Sequence, residues 1–505
     1  MSSTVVPTRL GRVSGLQESG VLQFRGIPYA RELQGLGRIR APEPVSPWTG
    51  ERKAITWAHA APQDAIPFMP VGETGDACLA LNVWRPLEGK GPWPVMVWIH
   101  GGGFSAGASS QSLYDGAALA RENGVVVVSI NYRLGILGFA DWSGWPGLEG
   151  VTNAGLRDQI LALQWVRDHI ADFGGDPEAV TLFGESAGGM SIACLMASPL
   201  AAGLFSRAII QSGSPDHVVT RDEAVRITRL FADAAGGDPA ACLTGPLDGI
   251  VRAQRACFRT TVNRGLHAEP VAQFGMTLLP CIGDDVLPQH PLHAMVEGAS
   301  AGVPLLLGTT RDEWTLFYLS PQSMGQSRPR PEPDEERLRH EFERTLPGRG
   351  LQMLEEYRRV LPEAAGSAVF CAYETDRMFR IPTLRLAESR FGLATQTWQY
   401  LFDWPCAFNR RLGSCHVMEV PFVFGITGKP AGQFFTGGGE AAAALSRRVR
   451  QAWASFAQGH APEADGWPEW PVYEEVARQV MVLGAESRVV SDPEADRRQL
   501  WNGVL

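Results

Sequence analysis

The sequence predicts an α/β fold, in which a mostly parallel central sheet is flanked by helices. Short apolar, β-branched runs recur at 95–99, 125–130, 180–183, 208–210, 303–307, 397–402 and 480–483. They are continuous rather than alternating, as strands covered on both faces require. Helical patterns lie between them. The clearest spans 156–173, where Leu156, Ile160, Leu163, Val166 and Ile170 recur at helical spacing on one face. Strand-then-helix alternation of this kind builds a wound parallel sheet rather than a β-sandwich.

The 505 residues are 45% hydrophobic and 20% charged, enough to form a large core and too apolar for a disordered chain. No internal repeat and no long linker interrupts them, so residues 1–505 are expected to form a single domain. Residues 1–90 are richer in turns, with short strands expected at 24–30 and 79–84. Two long insertions, about 215–300 and 318–394, read as mainly helical and are expected to wall a substrate cleft. The stretch Arg328-Pro-Arg-Pro-Glu-Pro-Asp334 reads as an exposed loop.

Composition also excludes several functions. The net charge of −9 argues against nucleic-acid binding, which needs a basic stripe to neutralise phosphates. No run of about 18 apolar residues indicates a transmembrane helix. The N-terminal residues lack the apolar stretch of a signal peptide, and a cytoplasmic location is expected. The eight cysteines form no CxxC pair and the ten histidines no HExxH, so neither a zinc ribbon nor a zincin site is expected.

The candidate nucleophile is Ser186, at the centre of Gly184-Glu-Ser-Ala-Gly188. An apolar strand leads into this segment and a helical pattern follows. So tight a strand-to-helix turn strains the central residue, and small neighbours relieve the crowding. The turn lifts the hydroxyl above the sheet at a helix N-terminus. A second segment, His100-Gly-Gly-Gly-Phe104, follows the strand at 95–99. Consecutive glycines let backbone N–H groups point inward. The amides of Gly102, Gly103 and Ala187 are the candidate oxyanion donors. Residues 101–106 also fit a G-x-G-x-x-A dinucleotide fingerprint, but the next strand ends Ser129-Ile-Asn131 where that reading needs an acid.

These segments resemble the type-B carboxylesterases, a family that includes para-nitrobenzyl esterases and cholinesterases. The likeness runs through Phe24-Arg-Gly-Ile-Pro-Tyr-Ala30, Cys78-Leu-Ala-Leu-Asn-Val83, Asn131-Tyr-Arg133, Asn153-Ala-Gly-Leu-Arg-Asp-Gln159, Phe173-Gly-Gly-Asp-Pro177, Ile210-Gln-Ser-Gly213 and Trp467-Pro-Glu-Trp-Pro471. The resemblance implies an α/β-hydrolase fold with helical insertions around the active-site cleft, and a Ser-Glu-His triad. It places the acid at Glu313, in Gly308-Thr-Thr-Arg-Asp-Glu313, with Asp312 as the competing carboxylate. It places the base at His416, in Gly413-Ser-Cys-His416 before Phe422-Val-Phe-Gly425. The chain order serine, acid, histidine fits the fold.

The implied activity is hydrolysis of uncharged short- or medium-chain or aryl carboxylic esters through an acyl-serine, with amide or carbamate hydrolysis as the nearest alternative. A non-catalytic binding module is the reading from another class. The substrate is a small ester plus water. No cofactor, metal, nucleic acid or membrane is implied, and a monomer is favoured. Activity is expected to fall as the pH drops below about 6.5, the ordinary pKa of histidine.

Phe104, Trp314 and Phe422 are candidate pocket residues, and Trp142 and Trp145 are ambiguous. The loop before Cys78 contains Phe68 but no tryptophan to stack on a quaternary ammonium, so a choline ester is not expected. Secreted members pair the equivalent of Cys78 with a cysteine where this chain has Ala61, which fits a reducing compartment. Cys242 and Cys257 correspond to a short disulfide loop of secreted relatives.

Overall fold

The computed structural model describes residues 3–65, 70–148, 150–263, 276–319 and 331–504. Its strands are β1 (Ser3–Thr8), β2 (Gly11–Glu18), β3 (Val21–Pro28), β4 (Glu51–Lys53), β5 (Ala80–Pro86), β6 (Trp93–Ile99), β7 (Val126–Ile130), β8 (Gly175–Glu185), β9 (Arg207–Gln211), β10 (Leu305–Thr310), β11 (Thr397–Asp403), β12 (Gln479–Gly484) and β13 (Arg488–Ser491). They form one sheet in the order β1-β2-β3-β5-β7-β6-β8-β9-β10-β11-β12-β13, with β4 paired to β2. The run from β7 to β12 is parallel throughout. Those seven strands are the seven apolar runs of the sequence. The outer strands β1, β2, β3, β5 and β13 pair antiparallel.

The helices that cover the sheet and build the insertions include α1 (Ala154–His169), α2 (Ala187–Ala197), α3 (Arg221–Ala234), α4 (Leu247–Asn263), α5 (Glu335–Thr345), α6 (Gly350–Val360), α7 (Gly366–Thr375), α8 (Ile381–Glu388), α9 (Gly439–Ala457) and α10 (Ala495–Gln499). The helix expected over 156–173 is α1 followed by a tight turn of 3₁₀ helix at Ile170–Phe173. Gly174, at φ 82°, ends it in the left-handed conformation common after helices. The first insertion carries α3 and α4, and the second α5 to α8. Of the proline-rich stretch at 328–334, residues 328–330 lie outside the described residues, as does Phe68.

Apolar side chains pack on both faces of the sheet. Leu182, Ile210 and Leu307 join the helices on one face, while Trp98, Phe183 and Trp453 join those on the other. Two of the family-like segments meet in this interior. Arg133, just after β7, and Asp158, on α1, form a fully buried ion pair. The guanidinium donates from Nε and Nη2 at 2.8 and 2.6 Å, and from Nη1 to the carbonyls of Arg38 and Arg40. The Arg133 amide adds a bond of 2.9 Å to Asp158. Charge placed this deep is tolerated because nearly every donor has an acceptor.

All eight cysteines are free thiols, Cys242 and Cys257 included. Trp142 is buried against Trp145 and Phe231, which makes it a packing residue. Among the described residues no helix is long and apolar enough to cross a membrane.

Candidate active site

The strand order reverses around β6, between β7 and β8, and crevices at the carboxyl ends of such strands are where α/β sheets bind ligands. Ile99, at the end of β6, lies opposite Gly184 of β8. The glycine-rich segment and the turn carrying Ser186 therefore emerge side by side. Gly188 allows this close approach, since a Cβ there would stand 1.9 Å from the carbonyl oxygen of Ile99.

Ser186 has φ 55° and ψ −126°, a conformation that costs a side-chain-bearing residue strain. Its amide donates to the Gln211 carbonyl at 2.9 Å, which ties the turn to β9. Ala187 begins α2, where the backbone N–H groups lack partners within the helix and the dipole favours an anion. Gly102 has φ 116°, and a Cβ on it would meet the Ala106 carbonyl oxygen at 2.0 Å, so only glycine fits. That residue's own carbonyl accepts from the amides of Ser105 and Ala106, closing the loop. Among the described contacts the amides of Gly102, Gly103 and Ala187 donate to no protein acceptor.

Glu313 follows β10 and His416 follows the loop after β11. The imidazole Nδ1 donates to Glu313 Oε2 at 2.5 Å, with both groups buried. The other oxygen of Glu313 accepts from Ser212 Oγ at 2.6 Å and from the Thr310 amide at 2.8 Å. Ser212 and the Thr310 amide thus fix the carboxylate and, through it, one edge of the ring. Asp312, the competing acid, is turned away and accepts from the Ser414 amide instead. Val417, next to His416, has φ 67°, rare for a β-branched residue. Strained backbone therefore sits at both Ser186 and the histidine loop.

Three functional groups escaped the sequence reading. Glu185, inside the serine turn, places Oε1 3.1 Å from His416 Nε2, an ion-pair distance without hydrogen-bond alignment. No hydrogen bond joins Ser186 Oγ to the imidazole among the described contacts, so Nε2 keeps its bonding direction unspent. Glu419, fully buried, accepts from Gln211 Nε2 at 3.3 Å. Ser212, at φ 48°, completes the support of Glu313. A carboxylate beside a nucleophile gives no signal in a motif that leaves its position open.

The buried carboxylates change the proton balance. Burial alone would lower the pKa of His416, but Glu185, then Glu313, then Glu419 outweigh it and push the imidazole up to about 9. Burial in turn raises Glu185 to about 8 and Glu419 to about 7. Carboxyls packed out of water resist ionisation, so Glu185 and Glu419 hold protons that free side chains would lose. The acidic limb of activity is therefore expected above the 6.5 of a free histidine. Besides these three acids the charged or titratable neighbour of the ring is His217, which burial holds neutral at pH 7. Replacing Glu185 by glutamine is expected to move the acidic limb of the kcat/KM profile down toward 6.5. An unchanged limb would show that Glu185 does not hold the proton on His416.

The pocket candidates separate. Phe422 is fully buried between Phe402 and Trp404, and Phe104 is fully buried against Phe139. Both rings belong to the hydrophobic core. Trp314 is 9% exposed, stands beside Phe317, and carries a buried indole N–H with no partner.

A strained serine at a strand-to-helix turn, unpaired amides beside it and a histidine–glutamate pair on the same sheet edge define the serine hydrolases of the α/β-hydrolase fold. The chain belongs to the carboxylesterase family, whose model matches residues 2–501. It is 36% identical to the para-nitrobenzyl esterase of Bacillus subtilis (strain 168), over 99% of this chain and 98% of that protein. It is 30% identical to the phenmedipham hydrolase of Pseudarthrobacter oxydans, with 96% of each covered. Among solved structures it is similar to a carboxylesterase of Geobacillus stearothermophilus, with a TM-score of 0.85 and 33% identity over 99% of this chain and 100% of that one. The chain is a serine carboxylic-ester hydrolase.

Proposed function

We propose that Ser186, His416 and Glu313 are the catalytic triad and that the amides of Gly102, Gly103 and Ala187 form the oxyanion hole. Neutral His416 takes the hydroxyl proton as Ser186 attacks the ester carbonyl. The three amides receive the charge that develops on the carbonyl oxygen. His416 then returns the proton to the departing alcohol, leaving an acyl-Ser186, which water hydrolyses by the same route. Glu313 holds the ring and stabilises its charged form. The observation that carries this reading is the 2.5 Å bond between His416 and Glu313 beside the strained Ser186 turn.

The substrates are uncharged esters of short or medium acyl chain, or aryl esters. A cluster of buried carboxyls disfavours an anionic substrate, while the apolar rings of Phe317 and Phe379 beside His416 favour neutral groups. We place the enzyme in the cytoplasm as a single-domain monomer. Its free thiols and the continuous sheet from Ser3 to Ser491 support that placement and the single domain. A panel of 4-nitrophenyl esters from acetate to laurate, with a 4-nitroanilide beside it, tests the substrate class. Turnover should peak at short or medium chains and be far slower for the anilide. Preference for the anilide or for laurate would reject it.

A further inference from the structure

The amides of Gly102 and Gly103 lie on an irregular loop, His100 to Gly107, where neither sheet nor long helix fixes their direction. The loop is held at three points. At its start the His100 carbonyl accepts from Tyr132 Oη at 2.8 Å, and the two rings stack. Near its middle the Phe104 carbonyl accepts from the Gly135 amide at 2.7 Å. At its end stands Gln63, a side chain from the turn-rich N-terminal part of the chain, 7% exposed. Its Oε1 accepts from the Gly107 amide at 2.8 Å, and its Nε2 donates to the Gly107 carbonyl at 2.9 Å. The second Nε2 proton goes to the Ala61 carbonyl at 3.0 Å. Among the described contacts Gln63 alone bonds to Gly107.

Gly107 backs directly onto the oxyanion segment. It has φ 109°, and a Cβ on it would stand 2.5 Å from the Gly101 carbonyl oxygen and 2.6 Å from His100 Nδ1. That same carbonyl accepts from His100 Nδ1 at 2.8 Å. The Gly101 carbonyl and the Gly102 amide belong to one planar trans peptide, in which C=O and N–H point in opposite directions. Whatever fixes the oxygen therefore aims the N–H. Gly101 also touches the serine turn, since a Cβ on it would stand 3.1 Å from Ser186 Cβ. A displacement of Gly107 thus passes through one rigid peptide to an oxyanion donor beside the nucleophile.

We propose that Gln63 is a positioning residue, which clamps Gly107 behind the Gly101–Gly102 peptide and so sets the direction of the Gly102 amide. The assignment rests on that amide belonging to the oxyanion hole. Preorganised donors act on the charge of the tetrahedral intermediate far more than on the neutral ester. Loss of the clamp therefore weakens transition-state binding and leaves ground-state binding in place.

The test compares Gln63→Met, equal in length but without the amide, with the parent enzyme on 4-nitrophenyl acetate. Rates are taken per active site, counted by fluorophosphonate labelling of Ser186, so that unfolded chains do not enter. Gln63→Met should lower kcat about 10- to 100-fold and leave KM within about twofold. Affinity for a trifluoromethyl ketone, which adds to Ser186 as an oxyanion, should fall in proportion to kcat/KM. The acidic limb of the pH profile should stay in place, since His416 and its carboxylates are untouched. Gln63→Asn, one methylene short of Gly107, should show the same split and serves if the methionine variant fails to fold. Parent-like kcat per site in either variant, a rise in KM alone, or a fall in kcat with ketone affinity unchanged or the limb moved would overturn the assignment. An unlabelled Ser186 in the parent enzyme would instead overturn the triad reading, and this assignment with it.

Discussion

Replacement of Ser186 by alanine is expected to lower kcat on a 4-nitrophenyl ester by about 10⁵- to 10⁶-fold, with the fold intact. Alanine removes the atom that carries the acyl group in the proposed triad. Water bound in its place lacks the orientation that the turn gives the hydroxyl. Some acceleration over solution should persist, since the free amides of Gly102, Gly103 and Ala187 still polarise the carbonyl. Alanine also carries a Cβ, so the strained backbone at φ 55° stays in place and no structural repair follows. Steady-state rates on purified protein check the loss. A variant retaining more than a hundredth of the parent rate would place the nucleophile elsewhere.

The second large effect concerns stability. Asp158→Ala should destabilise the fold by about 3–5 kcal/mol, because Arg133 would keep a buried charge whose carboxylate has gone. Arg167 and Asp168, half-exposed on the same helix and its end, offer a comparison. Asp168→Ala should cost no more than about 1 kcal/mol, as exposed pairs do. Urea unfolding of both variants measures the difference. Equal midpoints for the two would show that the buried pair is dispensable.

Much of the fold was legible because buried parallel strands are written as apolar runs, and each of the seven runs became a strand of the parallel block. The serine turn and the glycine segment were legible because their backbone geometry demands small residues at set positions. The proposed acid and base were not: Glu313 and His416 are single polar residues in loops, and only the likeness of their segments to a family singled them out. The carboxylate cluster was hidden for a different reason. Glu185 at the end of β8, Glu313 just after β10 and Glu419 in the segment following β11 converge from distant parts of the chain, and their effect on His416 comes from burial, which no local pattern encodes. Phe104 and Phe422 lie near motif residues in sequence and join the core, while Phe379, distant in sequence, reaches the histidine.

The central claim is that one hydroxyl, activated by His416, carries the acyl group. Treatment with a fluorophosphonate followed by peptide mass spectrometry tests it most directly. The expected result is one adduct per chain, on the peptide containing Ser186, with matching loss of esterase activity, and no adduct on Ser186→Ala. An adduct on another residue with activity lost, or full activity after Ser186 is modified, would contradict the account.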